Sequence, residues 1–100
     1  METNLNCDLG ETSIHHSAEN DPELMKLINT ANIACGFHAG DEETMKKTVD
    51  LAIKHYVSIG AHPSFADKEN FGRKRINLTK NEIKKLILDQ IQILSKISES

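Results

Sequence analysis

Three times along this chain a short run of apolar or small residues ends in a polar turn, and a segment of helical periodicity follows. The runs recur roughly every 25 to 30 residues, too far apart for hairpins and right for parallel strands joined by crossover helices. Right-handed crossovers would set the three strands side by side, with their carboxyl ends on one edge. This pattern predicts an α/β fold and singles out the strand ends, because ligands of such folds gather there.

The individual elements carry local signals. Leu5 and Cys7 alternate with Asn4, Asn6 and Asp8, as in a strand with one polar face. Asp21-Pro22-Glu23 combines a cap, a first-turn proline and an acid, which predicts a short helix reaching Ile28. Residues 31–35 read as a second, buried strand, and Asp41 as the cap of a helix with Met45, Val49, Ala52, Ile53 and Tyr56 on one face. Val57 to Ala61 is the third strand. Thr79 and Glu82 have the spacing of a capping box, and Leu78 and Ile83 that of a hydrophobic staple. The helix they open has an inner stripe of Ile83, Leu86, Ile87, Gln90, Leu94 and Ile97. Leu88, Ile91 and Ile93 widen the stripe, so this helix is expected to lie between two layers or to face a surface the chain does not supply.

Composition narrows the function classes. One hundred residues fit a single domain, 1–100, with a modest core. Charged residues make up 27% of the chain, yet the net charge is only -3 and the signs are interspersed, which argues against nucleic-acid or membrane-surface partners. The start lacks the basic and apolar segments of a signal peptide, and no apolar run approaches the ~20 residues of a membrane span. Cys7 and Cys35 form no CxxC pair and suit a reduced compartment, so a cytoplasmic location is expected.

The strand ends read NCDLGE, CGFHAGD and GAHPS. Asn6 and Asp8 point to one side of an alternating strand, and the loop after them can bring Glu11 close. His38 and Asp41 lie in a turn where Gly36 and Gly40 permit unusual dihedrals. Pro63 biases His62 towards extended geometry, which places its imidazole at the rim. Adjacent strands would therefore collect Asn6, Asp8, His38, Asp41 and His62 in one cleft. Such a set serves as general acid and base, or holds a divalent ion such as zinc through Asp8, His38 and His62. No HExxH-type motif singles out the metal reading. Asp41 reads equally as a helix cap and as a catalyst. For Asp8 and His62 the functional reading leads, since an inward polar group needs a partner or a substrate.

Other positions carry less. His15 and His16 lie in a polar loop and His55 at a helix end, where surface roles fit. In FGRKR, residues 71–75, a solvated basic face is the simple reading, while Arg73 suits two-pronged binding of a carboxylate or phosphate. No GxxxxGK[ST] loop is present to cradle a nucleotide.

Taken in order, LNCDLGE, ANIACGFHAGD, IGAHPSF and FGRKR resemble the successive motifs of the LamB/YcsF family, the bacterial 5-oxoprolinase A subunits. The resemblance runs from residue 5 to about residue 94. It implies a distorted (β/α) barrel like that of carbohydrate deacetylases, and ATP-dependent opening of the 5-oxoproline lactam to L-glutamate in a complex with subunits B and C. Family chains are longer, in keeping with the roughly 250 residues of a full barrel. About three βα units of a truncated, unclosed barrel are therefore expected here. The resemblance also implies roles: Asp8 or His62 activating water, Asn6 and His38 orienting or polarising the carbonyl, and Arg73 holding the substrate carboxylate, with ATP making a more easily attacked intermediate. Two alternatives stand beside it: a metal-dependent amide or deacetylase-type hydrolase, and a non-catalytic interaction module.

Overall fold

The computed structural model describes residues 4–13, 17–73 and 76–99. The elements run β1 (Asn6–Leu9), α1 (Asp21–Met25), β2 (Thr30–Ala34), α2 (Glu42–Lys54), β3 (Ser58–His62) and α3 (Lys80–Glu99). The strands lie side by side in that order and both pairings are parallel, giving the expected α/β architecture. The register sets Asp8 beside Asn32, Asn32 beside Gly60 and Ala34 beside His62. No helix is long and apolar enough to cross a membrane among the described residues.

Alternation divides the sheet into two unlike faces. Leu9, Ala31 and Ile33 are buried and join Met25, Cys35, Met45, Val49, Ala52, Val57 and Leu94 in one core under the helices. Asn6 and Asp8 are exposed on the other face, where Asn32 is half-buried. Burying a Leu, Ile or Met contributes about 1.5–3 kcal/mol, so the helical side holds the sheet together. The polar face is left for chemistry.

α2 begins as expected: the Asp41 carboxylate accepts from the Thr44 amide at 2.7 Å. Its buried side is Met45, Thr48, Val49 and Ala52, whereas Ile53 and Tyr56 are exposed, contrary to the periodicity reading. At 3.6 residues per turn Ile53 lies about 90° from the centre of the buried arc. Thr48 takes the inner place and satisfies its hydroxyl on the Thr44 carbonyl at 2.7 Å. Tyr56 follows the last turn in the left-handed region, φ 57°, so it leaves the helical face altogether.

α1 stops at Met25, three residues short of the expected Ile28. Lys26 and Leu27 already bond three residues back, to Glu23 and Leu24, which tightens the chain out of the α-helix. The amides of Asn29 and Thr30 then turn to the Leu5 carbonyl, and strand pairing takes over. Asp21 is the first helical residue and not the cap; its carboxylate reaches away to the Gly10 amide at 2.8 Å.

α3 carries the expected capping box, with Thr79 N to Glu82 Oε1 at 3.0 Å and Glu82 N to Thr79 Oγ1 at 3.2 Å. Only part of its expected stripe is covered. Gln90 and Leu94 are buried and Leu86 and Ile97 half-buried, but Ile83 and Ile87 are exposed with Leu88, Ile91 and Ile93. A single sheet face reaches one line of positions on the helix, and the broader apolar flank meets solvent.

Candidate active site

A cleft of about 240 Å³ opens at the carboxyl ends of the strands, lined by Asp8, Glu11, His38, His62, Ser64, Phe71, Gly72 and Arg73. Each strand contributes through its own end or the loop that follows it. β1 supplies Asp8 and the turn to Glu11, β2 the turn to His38, and β3 its last residue, His62.

His38 is 2% exposed and its Nε2 lies 3.2 Å from Glu11 Oε2. The same carboxylate oxygen is 3.6 Å from His62 Nδ1, and Asp8 Oδ1 is also 3.6 Å from that nitrogen. The two imidazole centroids are 4.8 Å apart. Phe71 sets its ring edge-on to His38 at 5.2 Å, and the Arg73 guanidinium sits 5.8 Å over the Phe71 ring. Arg73 is the one cationic side chain among the described residues that line the cleft.

The turns are fixed from behind. The Asp21 bond to Gly10 N holds the loop that carries Glu11, and burial raises the Asp21 pKa although that bond opposes the rise. Gly40, at φ 76°, bonds its amide to Thr12 O at 2.7 Å, and a Cβ there would strike the Gly10 carbonyl. The first two loops can therefore touch only because residue 40 has no side chain. Gly72 does the same for the third loop: a Cβ would meet Ser64 Oγ and lie 2.9 Å from His38 Cβ. Cys35, buried beneath, has its thiol pKa raised by burial, with a bond from the His62 amide pulling the other way.

Not every residue expected in the cleft is there. Asp41 is exposed and absent from the lining; it caps α2, and the Thr44 amide followed by the Thr44 hydroxyl lowers its pKa. Its carboxylate is engaged at the helix start, accepting from the Thr44 amide. Asn6 lies one step further back on β1, where its Oδ1 accepts from Asn32 Nδ2 at 2.9 Å. The same Asn32 nitrogen reaches Asp8 Oδ1 at 3.4 Å, so Asn32 links the two. The sequence reading passed over Asn32, yet the β1–β2 register puts it beside Asp8; treating 31–35 as wholly buried hid that alternation. Ser64 and Phe71 were likewise unmarked. His15, His16, Lys74 and Arg75 lie outside the described residues.

The ligand set expected for a divalent ion also changes by one member. Ligand atoms of Glu11, His38 and His62 all lie within 4.8 Å of one another, with Glu11 in the place the sequence reading gave to Asp8. Bonds of ~2.0–2.1 Å in a tetrahedron put ligands roughly 3.3 Å apart, close to the 3.2 and 3.6 Å separations from Glu11. Nδ1 of His62, the nitrogen that faces Glu11 and Asp8, lacks a hydrogen-bond partner among the described residues. Two imidazoles and a carboxylate therefore fit such an ion, and without one the same atoms form a carboxylate-oriented histidine pair.

The sequence profile of the LamB/YcsF family matches residues 3–100. The chain belongs to the LamB/YcsF family. It is 50% identical over 98 residues to the 5-oxoprolinase A subunit of Staphylococcus carnosus, covering 98% of this chain and 39% of that protein. The corresponding protein of Vibrio cholerae is 46% identical over 96 residues, covering 96% and 39%. The crystal structure of the lactam utilization protein from Thermus thermophilus superposes with a TM-score of 0.91 at 38% identity, covering 99% of this chain and 40% of that one. The chain thus spans about two fifths of the length of these relatives.

Proposed function

We propose that this chain supplies the reacting end of a 5-oxoprolinase A subunit, three βα units of a barrel acting with subunits B and C on 5-oxoproline. The observation that carries this reading is one carboxylate, Glu11, poised between two imidazoles in a cleft whose rim bears Arg73. Lactam hydrolysis adds water across a carbon–nitrogen bond, yielding a carboxylate and an amine. His62, between Asp8 and Glu11, takes a proton from the attacking water and returns it to the departing lactam nitrogen. His38, held by Glu11, orients the carbonyl from the cleft floor, and Arg73 pairs with the substrate carboxylate. ATP is a co-substrate in this reading: its γ-phosphoryl group passes to the lactam oxygen as ADP leaves, water adds to the activated carbon as the carbon–nitrogen bond breaks, and a second water hydrolyses the resulting acyl phosphate to L-glutamate and phosphate.

The test is 5-oxoproline-dependent ATP hydrolysis by the protein with its partner subunits, compared with Asp8→Asn, Glu11→Gln and His62→Ala. General acid–base catalysis is worth about 10²–10⁴-fold, so the His62 and Glu11 variants should lose at least about 10²-fold. Undiminished turnover in all three would remove the cleft from the reaction. The Glu11–His38–His62 spacing favours one second reading, a metal-dependent amide hydrolase that needs no ATP. A stoichiometric transition metal that survives dialysis, with lactam hydrolysis independent of ATP, would select it.

A further inference from the structure

Gln90 has the most enclosed polar side chain of α3, 0% exposed, at a position the helical stripe reserves for an apolar residue. A buried amide left unpaired costs roughly 1–3 kcal/mol, so its partners define its purpose. They are concentrated on one residue. Oε1 accepts from Ser64 N at 2.9 Å, and Nε2 donates to Ser64 O at 2.6 Å and to Leu86 O at 3.1 Å. The side chain thus pairs with both backbone groups of Ser64 as a neighbouring strand would.

Ser64 is a wall of the cleft, two residues beyond His62 and joined to it through Pro63, whose ring fixes φ. On its other side the Ser64 hydroxyl abuts Gly72, and Gly72 leaves just enough room for His38. We propose that Gln90 is a positioning residue that clamps Ser64 and thereby fixes His62 and the Gly72 wall against His38. This deepens the proposed function and rests on its assignment of the cleft. A leucine would suit the apolar stripe but would take this partner from both Ser64 groups, so the choice of glutamine serves the loop above.

The test compares Gln90→Met, which preserves length and apolar packing, with Leu94→Ala, which weakens α3 one turn away without touching Ser64. Imidazole and amide NMR spectra of the protein are recorded at one fixed pH without substrate, with His55 at the end of α2 as internal reference. Gln90→Met should displace the His62 imidazole and Ser64 amide signals and leave His55 in place, whereas Leu94→Ala should lower stability with the His62 signals unmoved. Gln90→Asn keeps an uncharged amide one methylene too short to hold both Ser64 groups and should move the same signals, and it decides the matter if the methionine variant does not fold. In the assembled enzyme the displacement should cost roughly 10- to 100-fold in kcat with KM little changed. His62 signals that move no more in the Gln90 variants than in Leu94→Ala would overturn the clamp. Absence of lactam hydrolysis in the unaltered enzyme would instead remove the functional reading and leave the spectral result standing.

Discussion

The two histidines of the cleft have the same chemistry and very different settings. His38 is 2% exposed, enclosed by Glu11, Phe71 and the glycine turns; the His62 side chain is 30% exposed and stands at the opening between two carboxylates. The first wall, from β1 and β2, is locked by the Gly10 amide donating to the Asp21 carboxylate and by a backbone bond from Gly40 N to Thr12 O. The second, after β3, joins a backbone bond from Asp67 N to Phe37 O at 3.1 Å with a clamp by one side chain from α3. An imidazole fixed in a closed wall is suited to orient; one at an open rim can exchange protons with a substrate and with solvent.

The sharpest way to break this contrast is to remove each ring in turn. His62→Ala should abolish most turnover, by about 10²-fold or more, at little cost in stability. His38→Ala should lose activity and also destabilise by roughly 2–4 kcal/mol, as large-to-small changes at buried sites do, which thermal unfolding will register. Equal stability losses would erase the distinction between the walls.

Gly40→Ala attacks the locked wall through its backbone. With φ at 76° and the Gly10 carbonyl in the way, it should cost more than about 1 kcal/mol, measured by denaturant unfolding. The same change on an open loop would pass almost unnoticed.

Asp21 probes the lock from the other loop. Burial raises its pKa in the folded state, so the folded chain holds this proton more tightly than the unfolded chain does. Stability from this group is present below the unfolded value of 3.8 and is lost as pH rises through the folded value. Asp21→Asn keeps an acceptor for Gly10 N and should flatten that dependence, whereas Asp21→Ala should lose the bond and roughly 1 kcal/mol.

Much of this arrangement was legible in the sequence. Strand spacing gave the parallel order, the Thr79–Glu82 box gave the start of α3, and Pro63 marked the exit from β3, which runs to His62, one residue past the expected Ala61. What stayed hidden depends on distances across the chain. Whether Asp21 caps its own helix or reaches Gly10, and what the inward-facing Gln90 bonds to, is settled by tertiary packing that leaves no local pattern. Ile83 and Ile87 misled because an apolar period marks a face without saying what covers it.

The smallest expected effect belongs to Asp41. As the cap of α2 it should contribute about 1 kcal/mol, removed by Asp41→Ala. Its pKa is lowered in the folded state, so this contribution is present above the ordinary value of 3.8 and fades as pH falls through the folded value. A stability loss that persists unchanged in acid would contradict the capping role.

The central claim is that side chains from three strand ends form one substrate cleft. Imidazole NMR during titration with 5-oxoproline, in the protein with its partner subunits and ATP, reads it directly. The His38 and His62 signals should move together and saturably while His55 stays fixed; saturable binding that leaves both cleft imidazoles unmoved would contradict the claim.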